Sequence, residues 1–271
     1  MNDYRKESLQ KADVPNILYK YRRWTNTLEK RILTDKEIYF SSPKLFEDHE
    51  DCRNFIRYDL LNDEQLYELY LHRSKQKNTS YSNEEHHQFA ELWAKKSPLK
   101  DKSYCDKIIA ESQENYFNCT GIFSMSADPL NEYLWNEYSD NFKGFCVGFE
   151  SYILSNYFGS CGPVIYEPEL PIIYPEPFDQ IEHIHLKRVF HKREKWIFEK
   201  EYRVCKMLPR EYLKNERKVV LPLEAFKSVI IGYKSDEATR NEIIELLLID
   251  FPDIKAYIAE KKNGKIELSQ A

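Results

Sequence analysis

Apolar and polar residues alternate along the first periodic segment of the chain, Ile17-Leu18-Tyr19-Lys20-Tyr21-Arg22, and this alternation predicts a β-strand. The next segment predicts a helix, and its buried face comprises Leu28, Ile32 and Leu33. A second strand is predicted from Ile38 to Ser41, and it ends before Ser42-Pro43 because proline cannot donate to a strand ladder. The chain is therefore predicted to open as a strand, a helix and a second strand.

The pattern changes between about residues 54 and 118, where charged residues are frequent and β-branched residues are few. This composition favours helices, whose predicted N-caps are Asp63, Asn83 and Asp101. We interpret residues 54–118 as a helical insertion within one domain that spans residues 1–271. Because the segment is rich in charge, we expect it to share little core with the rest and to move relative to the sheet.

A strand, a helix and another strand are predicted in the middle of the chain. The first strand runs from Cys119 to Ser126, and Asp128-Pro129 then supplies an N-cap with proline in the first helical position. The helix is expected from Leu130 to Asp140. Gly144 ends it, and Phe145 to Phe149 predicts the next strand.

The remaining sequence predicts the rest of a central sheet. Strands are expected at residues 164–166, 172–174, 202–205, 218–223 and 228–233, with a long helix from about 176 to 198. A final helix is capped by Asp236, and its buried residues are Ile243, Ile244, Leu247 and Leu248. Asn263-Gly264 predicts a hairpin between two closing strands. The fold class is therefore predicted to be α+β, a single domain with a central mixed β-sheet, flanking helices and a helical insertion.

Composition and charge exclude several classes of protein. No apolar run approaches the ~20 residues of a membrane span, and the first fifteen residues lack the apolar stretch of a secretory signal. A cytoplasmic location without membrane contact is therefore predicted. The net charge of -5 gives no general attraction to nucleic acid. A local basic patch, which we interpret as a solvated helix face, comprises Lys187, Arg188, His191, Lys192, Arg193 and Lys195.

The cysteines and glycines also bear on the chemistry. The six cysteines are dispersed without zinc-site spacing, so no metal is expected. The seven glycines form neither a G-x-G-x-x-G string nor a P-loop, which excludes phosphate cradles of those two kinds.

Several segments occur in an order similar to that of a known family: LYKYR, IYFSSPKLFED, CTGIFSMS, LNEYLWNEYSDNFKGFCVGF, VIYE, KREKWIFEKEYRV and VIIGY. Their order, from Leu18 to the strand around Gly232, resembles the bacterial family catalogued as domain of unknown function 2971. The block W-x-x-Y-[SA]-D-x-x-x-G is the most specific part of the resemblance. The chain departs from the family at Phe46-Glu47-Asp48-His49-Glu50, where an Asn-Asp-Pro-Phe-Glu-like string is expected. The resemblance implies no particular chemistry.

Glu199 and Glu201 lie two residues apart at a predicted junction of helix and strand, and side chains two apart in a strand share a face. This E-x-E string resembles the catalytic loop of the arginine-serine-glutamate class of ADP-ribosyltransferases, which use NAD. The resemblance implies that Glu201 is catalytic, stabilising positive charge at the anomeric carbon, and that Glu199 orients the acceptor. The alternative is a surface pair of carboxylates, one of which bridges to Arg203.

The same class of transferase has an arginine on an early strand and an aromatic-Ser-x-Ser string on a middle strand. Arg22 ends the first predicted strand here, and Ser124 and Ser126 end the middle one. The resemblance implies that Arg22 contacts a phosphate or ribose of NAD and that the serines line the nicotinamide ribose. Ordinary roles, a surface ion pair for Arg22 and strand positions for the serines, remain open alternatives.

Aromatic residues complete the predicted cofactor-binding set. Trp135 and Tyr138 are i and i+3 on one predicted helix, so they share a face that either walls a pocket for a flat ring or packs in the core. Arg203 lies beside Glu201 and is assigned to the same set. We expect the strand end at Ser41, Trp135 and Glu201 to surround one cavity.

Two other functions are compatible with the sequence. The acidic run Asp48, His49, Glu50 and Asp51 together with the two glutamates would suit a divalent metal in a nuclease or phosphoesterase. This ranks lower, because four adjacent ionisable residues cannot all face one site. A non-catalytic ligand- or partner-binding component of a bacterial defence or stress system is the alternative from a different class. The expected small-molecule partner is a nucleotide.

Overall fold

Strands and helices are distributed along the whole described part of the chain, which in this computed structural model comprises residues 14–159, 161–213 and 215–271. Residues 1–13, on which the secretory-signal argument mainly rests, lie outside it. The strands are β1 Ile17–Arg22, β2 Glu37–Tyr39, β3 Thr120–Ser126, β4 Phe145–Glu150, β5 Cys161–Pro163, β6 Ile165–Glu167, β7 His191–Arg193, β8 Glu201–Met207, β9 Lys218–Val220, β10 Phe226–Gly232, β11 Lys255–Lys262 and β12 Lys265–Gln270. The α-helices are α1 Arg31–Thr34, α2 Asp63–Lys77, α3 Asn83–Lys95, α4 Lys102–Cys119, α5 Glu132–Tyr138, α6 Ser151–Phe158, α7 Ile181–Val189 and α8 Glu237–Asp250.

A mixed sheet of eight strands, in the order β12-β11-β10-β4-β1-β3-β8-β5, forms the centre of the fold. The α+β class predicted from the sequence is thus confirmed. Short helical turns of 3-10 type lie at Pro43–Leu45, Tyr58–Leu60, Pro98–Lys100, Glu194–Glu199 and Leu223–Ala225. None of the helices in the described ranges is both long and apolar enough to cross a membrane.

The sheet opens between β1 and β3. β1 pairs with β4 along its whole length, from Ile17 opposite Glu150 to Arg22 opposite Phe145. Against β3 it pairs at the single position where Tyr19 lies opposite Ser126. The backbone groups of these two neighbouring strands therefore diverge, and the gap places side chains from both faces of the sheet beside the same space.

The largest hydrophobic cluster covers one face of the sheet. It contains Leu18 of β1, Phe123 of β3 and Val229 of β10, packed against α1, α6 and α8. The buried Tyr21 of β1 belongs to a second cluster with Trp135 on the opposite face. The alternation predicted for β1 is therefore present, and burial of Leu18 and Tyr21 in separate clusters on the two faces fixes the register of the strand.

The charge-rich insertion forms a helical lobe of α2, α3 and the first part of α4, with a small hydrophobic cluster of its own: Leu66, Leu69, Tyr70, Ala90, Ala94, Leu99 and Cys105. Asn62 and Ser82 make capping boxes at the starts of α2 and α3, one residue before the caps expected from sequence. The end of α4 instead packs near the sheet, because Tyr116 and Phe117 join a cluster with Cys205 of β8.

We expect backbone amides of α2 and α3 to exchange with solvent faster than those of β1 and β4, because their cluster is small and separate from the main core. Amides in the last turns of α4 are expected to exchange with solvent as slowly as those of the sheet, because this part of the helix packs against β8. Native-state hydrogen exchange measured at increasing denaturant concentration tests this expectation. Equal protection of α2, α3 and the central strands, lost in one step, would contradict it.

The prediction of one long helix over residues 176–198 is wrong. The chain forms α7, then β7, which pairs in parallel with β6, and then the helical turn Glu194–Glu199. The physical reason is Lys192, which is buried at the centre of β7 and forms ion pairs with three carboxylates. A straight helix would not bring this ammonium group to them. The interpretation of the basic patch as a solvated face is therefore also wrong at Lys192.

Smaller differences have local causes. Leu28 is exposed, because the Asn26 side chain accepts hydrogen bonds from the backbone of residues 28 and 29 and delays the helix to Arg31. Asp128 accepts a bond from the Leu130 backbone, but Asn131 caps α5. In α8, Ile243 and Leu247 are buried as expected whereas Leu248 is exposed. Residues 172–174 form an isolated bridge rather than a strand, and α6 follows β4 without having been predicted.

Candidate functional site

A cleft of about 260 Å³ lies at the opening between β1 and β3. β1 borders one side, β3 and the start of β8 border the other, and residues near Pro43–Leu45 and from α5 lie around the mouth. The polar and aromatic residues that line it are Tyr19, Lys20, Tyr21, Arg22, Tyr39, Ser41, Phe46, Glu47, Asp48, Asp51, Phe123, Ser124, Ser126, Tyr133, Tyr138, Lys192, Trp196, Glu199 and Glu201.

Arg203 donates two hydrogen bonds to the carboxylate of Glu201, the first residue of β8. The guanidinium donates through Nε to Oε1 at 2.8 Å and through Nη2 to Oε2 at 2.9 Å. Arg203 has no exposed surface, and it also donates to Asp51 at 2.6 Å and to the Val189 carbonyl at 2.6 Å. Such bidentate pairing fixes the carboxylate plane of Glu201 relative to the cleft.

Lys192 is the second cation at this wall. Its ammonium lies 2.6 Å from Glu199, 3.3 Å from Glu201 and 3.5 Å from Asp51. Burial alone would lower the pKa of Lys192, but the three carboxylates outweigh it and raise the pKa above its ordinary value. Lys192 therefore stays charged and joins the carboxylates into one buried ionic cluster.

The two glutamates of the cluster differ in their ionisation. Burial favours the neutral form of Glu201, yet Arg203 and Lys192 outweigh it and lower the pKa to about 2. Burial raises the pKa of Glu199, and Lys192 only partly offsets the increase. Glu201 is therefore a permanent anion, whereas Glu199 is the weaker acid of the two.

Ser124 and Ser126 connect the glutamates to β3. A hydrogen bond from Ser124 contributes to the lowered pKa of Glu201. The Ser126 hydroxyl donates to the Glu199 carbonyl at 2.7 Å and accepts from the Asp128 backbone at 3.1 Å. At the turn between the glutamates, Lys200 has the left-handed φ of 46°. Ser126 thus fixes the backbone before Glu201, and Ser124 contacts the Glu201 carboxylate itself.

Lys20 and Arg22 are the cations of the opposite border. Lys20 donates from Nζ to the Ser124 carbonyl at 2.5 Å, across the gap in the sheet. Burial, and then the neighbouring Arg22, lower the pKa of Lys20 to about 7. Arg22 donates to the carbonyl of Tyr21 at 3.3 Å, and burial lowers its pKa to about 10. Neither side chain has an ion-pair partner among the residues that the structure describes.

The predicted site residues divide into two groups. The cleft brings together Arg22, Ser124, Ser126, Tyr138, Glu199 and Glu201. Trp135 and Arg203 do not reach it, because both are fully buried. Trp135 stacks on Phe142 with ring centres 5.2 Å apart and donates from Nε1 to the Pro129 carbonyl at 2.9 Å. Trp135 and Arg203 therefore support the wall of the cleft from the protein interior and do not line it.

Ser41, Glu201 and the helix α5 do border one cavity, although α5 contributes Tyr133 and Tyr138 rather than Trp135. Sequence reasoning missed Lys20, Lys192, Tyr133 and Trp196. The signal for Lys20 was its position two residues before Arg22, which places both on one face of β1.

No set of three or more His, Cys, Asp or Glu residues in the described ranges is arranged to hold a metal ion. Within the acidic run considered for a metal, Asp51 is engaged by Arg203 and Lys192, and Asp48 and Glu50 pair with Lys195. His49 instead contacts the Arg53 guanidinium through Nδ1.

No protein-family model matches the chain, and no curated protein or solved structure matches it significantly. The resemblances to domain of unknown function 2971 and to the ADP-ribosyltransferases therefore stay predictions.

Proposed function

We propose that the cleft binds NAD and that the chain transfers ADP-ribose from it to an acceptor. The observation that carries the proposal is the distribution of charge: Lys20 and Arg22 border one side without carboxylate partners, and Glu199 and Glu201 border the other. NAD has the matching polarity, with an anionic pyrophosphate at its centre and a cationic nicotinamide at one end.

Arg22 is assigned to the pyrophosphate, because a guanidinium offers several N–H donors in a fixed plane. Tyr133 and Tyr138 at the mouth, 39% and 40% exposed, offer faces on which a flat ring can stack. Ser124 and Ser126 are assigned to the nicotinamide ribose, since their strand positions lie beside Glu201 and the turn before it.

Glu201 supplies the negative charge that stabilises an oxocarbenium-like transition state as the bond to nicotinamide breaks. With a pKa of about 2 it is ionised at all physiological pH values. Glu199 is suited to orient an acceptor and to accept its proton, because its raised pKa brings it closer to the working range of a general base.

One observation favours the non-catalytic alternative. Both oxygens of Glu201 already accept hydrogen bonds from Arg203, and Lys192 adds a further contact. With the hydrogen bond from Ser124, these contacts match the roughly four lone-pair sites of a carboxylate, so a ribose hydroxyl has to replace one of them. The two cations also offset much of the charge of Glu201, as expected where a carboxylate serves mainly to hold a wall in place. In that case the cleft binds a ligand or partner without reaction.

The proposal is tested by Arg22→Gln with Arg23→Gln as its matched control. Arg22 lines the cleft, whereas the adjacent Arg23 is exposed and donates to the Glu137 carbonyl at 3.1 Å. Each variant changes the net charge by the same amount. Isothermal titration calorimetry is expected to show about 10- to 100-fold weaker NAD binding for Arg22→Gln, the loss expected for hydrogen bonds to a charged group. Arg23→Gln is expected to bind like the wild type.

A parallel assay of nicotinamide release separates transfer from binding. No NAD binding by the wild-type chain, or equal binding by the two variants, would rule out the proposal. Binding without nicotinamide release in the presence of candidate acceptors would favour the non-catalytic alternative.

A further inference from the structure

The ammonium group of Lys20 is in an environment unlike that of the other lysine of the cleft. Lys192 is surrounded by three carboxylates. Lys20 makes one hydrogen bond, to the Ser124 carbonyl, and its Nζ lies 5.3 Å from the centre of the Phe123 ring. No carboxylate of the described residues forms an ion pair with it. A half-buried amine without a counter-ion is costly to keep charged.

The surrounding charges act in the same direction. Burial is the main cause of the pKa of about 7, and Arg22 on the same face of β1 adds to it. The charged and titratable groups that act on Lys20 are Arg22 on β1, Glu29 after it, Cys146 on the neighbouring β4, Glu199 in the turn before β8 and Glu201 on β8. The three glutamates favour the charged form without outweighing burial and Arg22. A large fraction of Lys20 is therefore a neutral amine near pH 7.

A neutral amine in a cleft is a nucleophile, and lysines desolvated next to another cation are the ones that form imines with carbonyl compounds. The hydrogen bond to Ser124 uses an N–H of Lys20 and leaves the nitrogen lone pair available. Lys20 lines the cleft at the gap where β1 and β3 do not pair, so a small carbonyl compound has access to it.

We propose that Lys20 forms an imine with an aldehyde that bears a phosphate group, and that Arg22 holds the phosphate. The nitrogen attacks the carbonyl carbon, two protons of the amine and the carbonyl oxygen leave together as water, and a C=N bond remains. No oxidant or reductant is required. Arg22 lies two residues further along the same face of β1 and has no ion-pair partner in the described part of the chain, and a guanidinium suits a phosphate.

This inference goes beyond the transfer reaction and does not depend on it. The proposed function is measured by NAD binding and nicotinamide release, whereas this inference is measured by covalent labelling of Lys20. Failure of one leaves the result of the other unaffected.

Pyridoxal 5′-phosphate is the probe, and pyridoxal without the phosphate is its control. After reduction with borohydride at pH 7.5, peptide mass spectrometry is expected to find Lys20 labelled at least about tenfold faster than Lys95, an exposed lysine on α3. Pyridoxal is expected to label Lys20 more slowly than the phosphate compound. Arg22→Gln is expected to remove that difference between the two probes.

Lys20→Arg keeps a long N–H-donating side chain on β1 but removes the amine, so it is expected to abolish labelling at this position. Lys95→Met is expected to leave labelling of Lys20 unchanged. A measurement on the wild-type chain avoids dependence on variant folding. Trace acetylation with acetic anhydride from pH 6 to pH 10 is expected to give half-maximal reactivity of Lys20 near pH 7, well below the ~10.4 of a free lysine. Labelling of Lys20 no faster than that of Lys95, by either reagent, would overturn the inference.

Discussion

Replacing Arg203 by methionine is expected to lower the free energy of unfolding by about 3–5 kcal/mol, the loss typical of removing one partner from a buried ion pair. Arg203 is fully buried and donates to both Glu201 and Asp51. Without it, these two carboxylates and Glu199 share the single cation Lys192. Urea denaturation followed by circular dichroism measures the change.

The matched control is Arg210→Met. Arg210 also makes a bidentate contact, with both carboxylate oxygens of Glu216, but this ion pair lies at the surface. Exposed ion pairs contribute little, so a much smaller change is expected. Equal effects of the two substitutions would show that burial of the cluster does not decide its contribution to stability.

The same cluster gives stability a defined pH dependence. The pKa of Glu201 is lowered from its ordinary value of 4.5 to about 2. A carboxyl whose pKa is depressed in the folded state stabilises the fold above the ordinary pKa, and this contribution is lost as pH falls. The difference in stability between wild type and Arg203→Met is therefore expected to shrink between about pH 4.5 and pH 2.

The sequence predicted elements whose signals are local. β1 was predicted with its observed bounds because Leu18 alternates with Tyr19 and Tyr21, and each set is buried on its own side. The closing hairpin was predicted because Asn263 and Gly264 adopt the positive φ values of 50° and 78° that this dipeptide tolerates. Such features depend on residues close in the sequence.

The interior of the site depends on partners distant in the sequence, and this part was not predictable. The sequence leaves a surface carboxylate open as an alternative for Glu201, yet this residue is 6% exposed. Its burial is possible because Arg203 and Lys192 compensate the negative charge of Glu201. The positive charges of these two residues are in turn compensated by Asp51, which lies some 150 residues earlier in the chain. Local periodicity at residues 187–195 favoured a helix face and contained no sign of these contacts.

The opening between β1 and β3 was equally hidden in the sequence. Alternation places Lys20 and Arg22 on one face of β1, while Tyr19 on the other face pairs opposite Ser126. In a continuous sheet the two cations and Glu201 would be separated by the sheet. The single paired position between the strands lets them border one cleft.

Glu201→Gln is expected to lower the rate of nicotinamide release per folded molecule by about 10²–10³, the usual loss when one preorganised electrostatic contact to a transition state is removed. The amide keeps the shape of the side chain but lacks the charge that opposes a developing oxocarbenium ion. Because Glu201 is buried against Arg203, the same substitution is expected to lower stability, unlike a change at a rim position. The rate must therefore be divided by the folded fraction, measured by circular dichroism under assay conditions.

Glu199→Gln and Glu216→Gln are the companion variants. Glu199→Gln is expected to impair transfer to an acceptor more than hydrolysis of NAD, because Glu199 acts on the acceptor in the proposed reaction. Glu216, paired with Arg210 away from the cleft, is expected to leave both rates unchanged. If Glu201→Gln loses stability yet keeps its rate per folded molecule, the carboxylate of Glu201 only holds the wall of the cleft. The transferase proposal would then give way to the non-catalytic alternative, since Glu201 is the carboxylate to which the proposal assigns the stabilising charge.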